Sequence, residues 1–440
     1  MRFLNVKRII QMRGGESRVD RIRAATRLLT VFIAGQGALQ ALNVVTGLFL
    51  VRKLDIEAFA QYSLAIAFQN TAISLTSLGL TDSIIPLVGA HSDNRMLVGK
   101  YVQAARHLRT RLFIIVAPCC AIAFLLVVHG QHWDIASQLI LLVSILASLY
   151  LSVSVSCWSS PLLLKRRLYD YYFVQAVPGL ARLATYITAS LVSALSASLA
   201  ALTGAASILL NGLLAKKRSA DLVEMPTHVD TSASKEVLRC MLPMMPAAIF
   251  TSFQPQVALL LVSIFGQTIQ IAQIAALGRI SQVFLIFSAF GSVVVEPYIA
   301  RVPSDRLLIA YTRIIVCAVC VGALLTLLSF EFPSALLWVL GSQYRDLDHV
   351  VGWVVLSSSL STIANVIWVM NRGRRWLFWR GSLLEIGCLI LFQTTYVVAF
   401  GVRTTYSAAL FMLAASCAHL TAHTYIMVYG FSRHRYPSSR

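Results

Sequence analysis

Apolar residues along this chain gather into twelve long stretches, beginning near Leu28, Ala60, Leu112, Ile135, Tyr171, Ser196, Leu238, Ile271, Leu307, Val350, Leu377 and Thr404. A helix needs about 20 largely apolar residues to cross a bilayer, so each stretch predicts one membrane-spanning helix. The gaps between them alternate in character. Arg2 to Arg27, Arg95 to Arg111, Lys165 to Arg167, Lys216 to Arg239, Arg301 to Arg313, Arg372 to Arg380 and Arg433 to Arg440 hold 31 of the 37 Lys and Arg residues. The intervening gaps hold Arg52, Lys53, Arg345 and Arg403. By the positive-inside rule the basic gaps, and with them both termini, are expected on the cytoplasmic side.

Six spans precede and six follow the longest internal hydrophilic stretch, Lys216 to Lys235. The two halves echo each other. Leu48 to Val51 returns as Leu259 to Val262, Phe59-Ala60-Gln61 as Ile271-Ala272-Gln273, and Ile84-Ile85-Pro86 as Val295-Glu296-Pro297. Halves of six spans share one orientation and are related by a pseudo-twofold along the membrane normal, with the substrate site expected between them. The expected fold is therefore all-α: a polytopic membrane protein of about twelve transmembrane helices in two pseudo-symmetric six-helix lobes. The expected divisions are a basic segment over 1–27, a first lobe over 28–215, a linker over 216–237, a second lobe over 238–429 and a basic tail over 430–440.

Polar positions inside the spans recur at helical spacing. Gln36, Gln40 and Asn43 form one face of span one, and Asn70, Ser74, Ser77 and Thr81 one face of span two. Gln175, Arg182 and Thr185 share a face of span five, Arg279 and Gln282 of span eight, and Ser358, Ser361 and Asn365 of span ten. Interhelical hydrogen bonding accounts for the Ser and Thr stripes. Gln and Asn beside Arg point to a hydrated pathway. Arg182 and Arg279 lie well inside their spans, where a lipid-facing guanidinium costs several kcal/mol. They pair with an in-span acid (Asp82, Glu296 or Glu385), snorkel to the interface (Arg279 more readily than Arg182), or face an electropositive cavity suited to phosphate oxygens. The substrate-binding residues expected on this basis are Arg182, Arg279, Gln36, Gln40, Asn43, Asn70, Gln175 and Gln282. Pro243, Pro246 and Pro255 predict a bent or broken span seven, and Gly35, Gly37 and Gly47 a loosened span one, its counterpart; the bend is expected to be either a moving gate or a static packing kink.

Hydrophobic residues make up 58% of the chain and charged ones 12%, with a mean hydropathy of +0.74, which excludes a soluble domain. The net charge of +19 is divided among short loops, as topology and attraction to anionic lipids require, and does not form a nucleic-acid patch. Arg2 to Arg27, with Phe3, Leu4, Val6, Ile9 and Ile10 interleaved, reads as an amphipathic surface segment and is too extended for a cleaved signal peptide. The eight cysteines lie in or beside spans and form no disulfide framework; Cys317-x-x-Cys320 reads as helix packing. Trp133, Trp338, Trp353, Trp368, Trp376 and Trp379 fall near span ends, where interfacial anchors are expected. His129 and His132 lack partner acids or cysteines, and no phosphate-binding glycine loop is present. No catalytic residue, metal or cofactor is expected. The energy source is a substrate gradient, an ion gradient or the membrane potential.

The runs Gly47 to Leu54, Phe59-Ala60-Gln61-Tyr62-Ser63-Leu64 and Leu78-Gly79-Leu80, then Leu340-Gly341-Ser342-Gln343-Tyr344 and Asn371-Arg372-Gly373, resemble the multidrug/oligosaccharidyl-lipid/polysaccharide exporter superfamily. Within it they resemble the polysaccharide flippases related to O-antigen exporters. The resemblance implies two six-helix lobes arranged in a V around a cavity open to each side in turn. It also implies a cargo of undecaprenyl-pyrophosphate-linked oligosaccharide in the bacterial inner membrane, with Arg182 and Arg279 meeting the pyrophosphate. Membrane lipids, glycosyltransferases and a polysaccharide polymerase would be the partners, with a coupling ion as a further option. Two other readings compete. A cation-coupled drug exporter would want carboxylates in spans one and seven, which have none. A membrane polymerase or ligase would want a substantial external loop.

Overall fold

The computed structural model describes residues 18–78, 80, 84–88, 94–131, 133–165, 167–226, 228–242, 245–374, 376 and 379–434. The segment before residue 18, Thr81, Asp82, His132, Pro243 and the tail beyond 434 lie outside them. The chain is an all-α, polytopic membrane protein of twelve helical passes in two pseudo-symmetric six-helix lobes. The first lobe comprises α1 (Arg18–Lys53), α2 (Ile56–Ser77), α3 (Arg95–His129), α4 (Ile135–Leu164), α5 (Leu168–Leu191) and α6 (Ala197–Ser219). In the second, α7 comes in two pieces (Met245–Phe253 and Val257–Phe265). It is followed by α8 (Thr268–Val283), α9 (Leu307–Glu331), α10 (Asp348–Gly373), α11 (Trp379–Phe400) and α12 (Thr405–His434). The most extensive pairing in the first lobe is α4 with α6, and in the second α10 with α12, the same positions six spans on. Among the described residues, nine helices are long and apolar enough to cross a membrane; α2, α5 and the broken α7 fall short by that measure.

Polar residues in the short gaps start the helices. The side chains of Asp55, Asn94, Asp134 and Ser196 accept from backbone amides in the first turns of α2, α3, α4 and α6, satisfying donors that a helix start leaves open. Lys216, Lys217 and Arg218 close α6, where cations complement the carbonyl end of the helix dipole. The linker crosses the basic end of α3 at close range. A Cβ on Gly99 would stand 1.9 Å from the Glu224 carbonyl oxygen, so the backbone there requires glycine. A linker helix (Thr231–Met241) is tied to α3 by Tyr101 donating to Glu236 at 2.5 Å and by Lys100 to Asp230 at 2.8 Å. Lys100 and the Ser232 hydroxyl and amide hold the Asp230 carboxyl well below the usual carboxylate range.

Several expectations change. The helices run further into the basic gaps than the apolar stretches suggest, and Arg109 is fully buried in α3, acting on Cys157 of α4, not a loop cation. Pro255 sits in a 3-10 turn (Gln254–Gln256) that divides α7, as a residue without an N–H requires. Pro246 falls in the first turn of the piece beginning at Met245, where proline is tolerated. α1 is continuous, and two of its three glycines are close-packing points: Cβ atoms at Gly35 and Gly47 would stand 2.4 Å from the Tyr172 ring and 3.1 Å from Arg279 Cδ. Trp133 and Trp376 are buried and so are not interfacial anchors. Cys317 and Cys320 are exposed on α9, so they do not pack between helices.

Candidate functional site

A cavity of about 230 Å³ opens between α1, α5 and α6. Gln36, Gln40 and Asn43 line it from α1, Gln175 and Arg182 from α5, and Ser207 and Asn211 from α6. The helical period explains this assembly. The stripe of α1 faces the stripe of α5, and the two backbones approach closely at Gly35 beneath Tyr172 and at Gly179 beneath Leu42. Arg182 Nη2 donates to Asn43 Oδ1 at 3.1 Å, which aims the guanidinium across the cavity. Its Nε, and Asn211 Oδ1 on the opposite wall, are buried without a hydrogen-bond partner in the protein. Gln175 Nε2 and Thr185 Oγ1 donate to carbonyls of their own helix.

Five of the eight expected binding residues thus meet in one cavity. The other three do not line it. Arg279 lies against Gly47, four residues beyond Asn43 on α1 and therefore about 6 Å further along that helix. It still belongs to the same electrostatic group: Arg182, Tyr62 and Tyr186 all act on it. Gln282 contributes its backbone carbonyl, which accepts from Gln40 Nε2 at 3.3 Å and joins the cavity wall to the second lobe. Asn70 is exposed on α2, apart from the cavity. The cavity belongs to the first lobe and touches the second at its edge, whereas the duplicated sequence places it between the halves. Ser207 and Asn211 were not among the expected residues, although Thr203, Ser207 and Asn211 recur at four-residue spacing on α6 and carry the same signal as the other stripes.

Of the in-span acids, Asp82 lies outside the described residues and the other two are committed elsewhere. Glu296 pairs with Arg372, and Glu385 faces His419 and His423. Among the described residues, neither Arg182 nor Arg279 takes part in an ion pair. The serine stripe of span ten, by contrast, is consumed by packing: Ser358 bonds Ser281 at 2.8 Å, and Ser361 bonds Ser416 at 2.8 Å.

The lobes are clasped at the end away from the basic gaps. Arg52 donates to the carbonyls of Val339 and Trp338, and its guanidinium lies 4.8 Å over the Trp338 ring. Gln343 Nε2 donates to the Val51 carbonyl at 2.6 Å. Gln131 donates to the Ser263 carbonyl and accepts from Thr268, while Trp133 Nε1 donates to Thr268 at 3.4 Å. The cross-lobe hydrogen bonds described, apart from Gln40 to Gln282, lie at this end.

No protein-family model matches the chain, and no curated protein matches it in sequence. Solved structures share its fold. A multidrug resistance MATE family transporter of the MOP superfamily in an inward-facing conformation superposes with a TM-score of 0.67 at 13% identity, over 90% of this chain and 94% of that one. The lipid II flippase MurJ, inward closed, gives 0.66 at 12% identity over 91% and 87%. An outward-facing MATE family transporter gives 0.53 at 11% identity over 93% and 94%. The chain shares its fold with these two MATE family transporters and with MurJ.

Proposed function

We propose that this chain is a flippase that carries an anionic lipid-linked oligosaccharide, an undecaprenyl-pyrophosphate-linked glycan, across the bacterial inner membrane for surface polysaccharide synthesis. The observation that carries the reading is Arg182: a guanidinium inside a polar cavity, aimed by Asn43, with no acid paired to it. A charge held that way within a span is a binding group in search of an anion. Arg279 adds a second positive charge beside it, and Gln36, Gln40, Gln175, Ser207 and Asn211 offer hydrogen bonds to phosphate and sugar oxygens. The 230 Å³ pocket suits a pyrophosphate and its first sugar; the polyprenyl tail stays in lipid.

The basic gaps put both termini in the cytoplasm. The clasp at the opposite end then closes the external side, so cargo enters from the inner leaflet. Broken α7, with Pro255 at its turn, is the element that yields when the lobes rock. Glycosyltransferases supply the cargo and a polymerase consumes it.

The test is flipping of a fluorescent polyprenyl-pyrophosphate saccharide in proteoliposomes, read by protection of the fluorophore from an impermeant quencher. Arg182→Ala and Arg279→Ala should abolish flipping while insertion and yield stay normal. Unimpaired flipping in both variants would end the residue assignment. Export of an organic cation by the parent protein, with no flipping, would favour a multidrug exporter instead; two uncompensated guanidiniums argue against that cargo.

A further inference from the structure

We infer that Glu385, His419 and His423 form a binding site for one divalent transition-metal ion of the zinc class, joining α11 to α12 in the second lobe. His419 and His423 stand four residues apart on α12, so both imidazoles project from one helical face, where they stack with centroids 6.1 Å apart. Glu385 of α11 faces them. Its Oε1 lies 3.1 Å from His419 Nδ1 and 3.5 Å from His423 Nε2, and the ligand atoms all fall within 4.8 Å of one another. Zinc bonds of about 2.0–2.1 Å in a tetrahedron put neighbouring ligands roughly 3.3–3.4 Å apart. Two edges of the triangle, at 3.1 and 3.5 Å, bracket that length, and the third, within 4.8 Å, closes by rotation of the imidazoles.

Hydrogen bonding of the two histidines to the carboxylate is the simpler account, and the surroundings of His423 are compatible with either. His423 is almost wholly buried, and its Nδ1 has no hydrogen-bond partner. The Oδ1 of Asn371 is also buried and unpaired, while its Nδ2 donates to the His423 carbonyl at 3.1 Å. Both residues line a cavity of about 30 Å³, space for a single water. If His423 donates from Nε2 to Glu385, its Nδ1 and Asn371 Oδ1 are both acceptors, which one water in that cavity would satisfy. A metal on Nε2 moves the ring proton to Nδ1, which then donates towards Asn371 Oδ1, directly or through one water. Metal-bound histidines are held in this way by a partner for the second nitrogen.

Two imidazoles and one carboxylate favour zinc-class ions over sodium, magnesium or calcium, which prefer all-oxygen sets. The three protein ligands leave a fourth position for water. This site is separate from the cavity of the first lobe, so its failure and that of the cargo assignment are distinguishable.

The test uses full-length, tag-free protein in nanodiscs, stripped with a chelator and titrated with Co²⁺. One equivalent should bind with the visible spectrum of four-coordinate cobalt, be displaced by Zn²⁺, and raise the unfolding temperature. His419→Gln and His423→Gln should each weaken binding by about 100-fold or more, and Asn371→Ala by about 10- to 100-fold through the outer shell. His419 is the more exposed of the two, so His419→Gln retains folding if the buried variant does not. Binding that survives His419→Gln unchanged, a stoichiometry far below one, or displacement of Co²⁺ by equimolar Na⁺ would each overturn the assignment.

Discussion

Replacing Arg52 with alanine should open the end of the molecule that faces away from the basic loops. Arg52 Nε donates to the Val339 carbonyl at 2.8 Å, Nη2 to that of Trp338 at 2.5 Å, and the guanidinium lies 4.8 Å over the Trp338 ring. A shielded hydrogen bond from a charged donor contributes about 1.5–3 kcal/mol. Arg52 is exposed, so water competes and the two bonds together are worth about 1.5 kcal/mol. The exposed cation–π contact adds about 0.5 kcal/mol. Losing about 2 kcal/mol lowers the ratio of closed to open molecules roughly 30-fold. Gln343 offers a neutral donor to the Val51 carbonyl, so Gln343→Ala should cost about 1 kcal/mol, roughly fivefold. Spin labels at Lys53→Cys and Arg345→Cys report this directly, in a background where the exposed Cys119, Cys317 and Cys320 are replaced. The parent should give one short distance and Arg52→Ala a second, longer population, larger than that of Gln343→Ala. An unchanged distance distribution in Arg52→Ala, with the protein folded, would refute the clasp; a larger effect from Gln343→Ala would refute the ranking.

Three further outcomes are expected. Arg182→Gln should weaken binding of inorganic pyrophosphate to the detergent-solubilised protein about 10- to 150-fold, the worth of one charge-assisted contact. Arg182→Lys should fall between, since lysine keeps the charge but loses the fork, and equal affinities by calorimetry in all three would remove Arg182 from the site. Gly37→Ala should raise thermal stability by about 0.5–1 kcal/mol, because nothing stands within 4 Å of the added methyl. Gly35→Ala should lower stability by about 1–3 kcal/mol through its clash with Tyr172, and the reverse order would contradict the packing role of these glycines. Pro255→Ala restores a backbone amide at the break in α7; slower exchange of amide hydrogens over 253–258 and slower flipping are expected, and an unchanged flipping rate would take Pro255 out of the gate.

Much of the membrane fold was legible because the bilayer imposes one requirement on every span, and apolar length reads it directly. The face that carries Gln36, Gln40 and Asn43 was equally legible, since a 3.6-residue period alone fixes which residues share it. What the sequence does not carry is how neighbouring helices register. Arg109 looks like any cation at a helix end until α4 covers it. Gly35 and Gly47 look like hinges until Tyr172 and Arg279 are seen to occupy the space they leave. The histidines of α12 show the i,i+4 spacing of a ligand pair, yet become a site only when α11 sets Glu385 opposite them. Every one of these depends on a partner far away in sequence.

The position of Arg279 bears on how the two lobes would exchange access. Arg182 belongs to the first lobe and Arg279 to the second, yet they act on each other and on the same tyrosine, Tyr186. Like charges held near each other in a span repel, and the repulsion is strongest where water is excluded. Moving the lobes apart relieves it, at the cost of the packing of Arg279 against Gly47 and the bond from Gln40 to Gln282. An anion between the two guanidiniums relieves it too, and favours the arrangement in which both can reach it. Under the proposed function the pair would therefore tie cargo charge to lobe position: a dianionic pyrophosphate would draw the lobes together at this depth, and its departure would let them part. A neutral or cationic cargo has no such hold on the equilibrium, because it does not bind the two states differently through these residues.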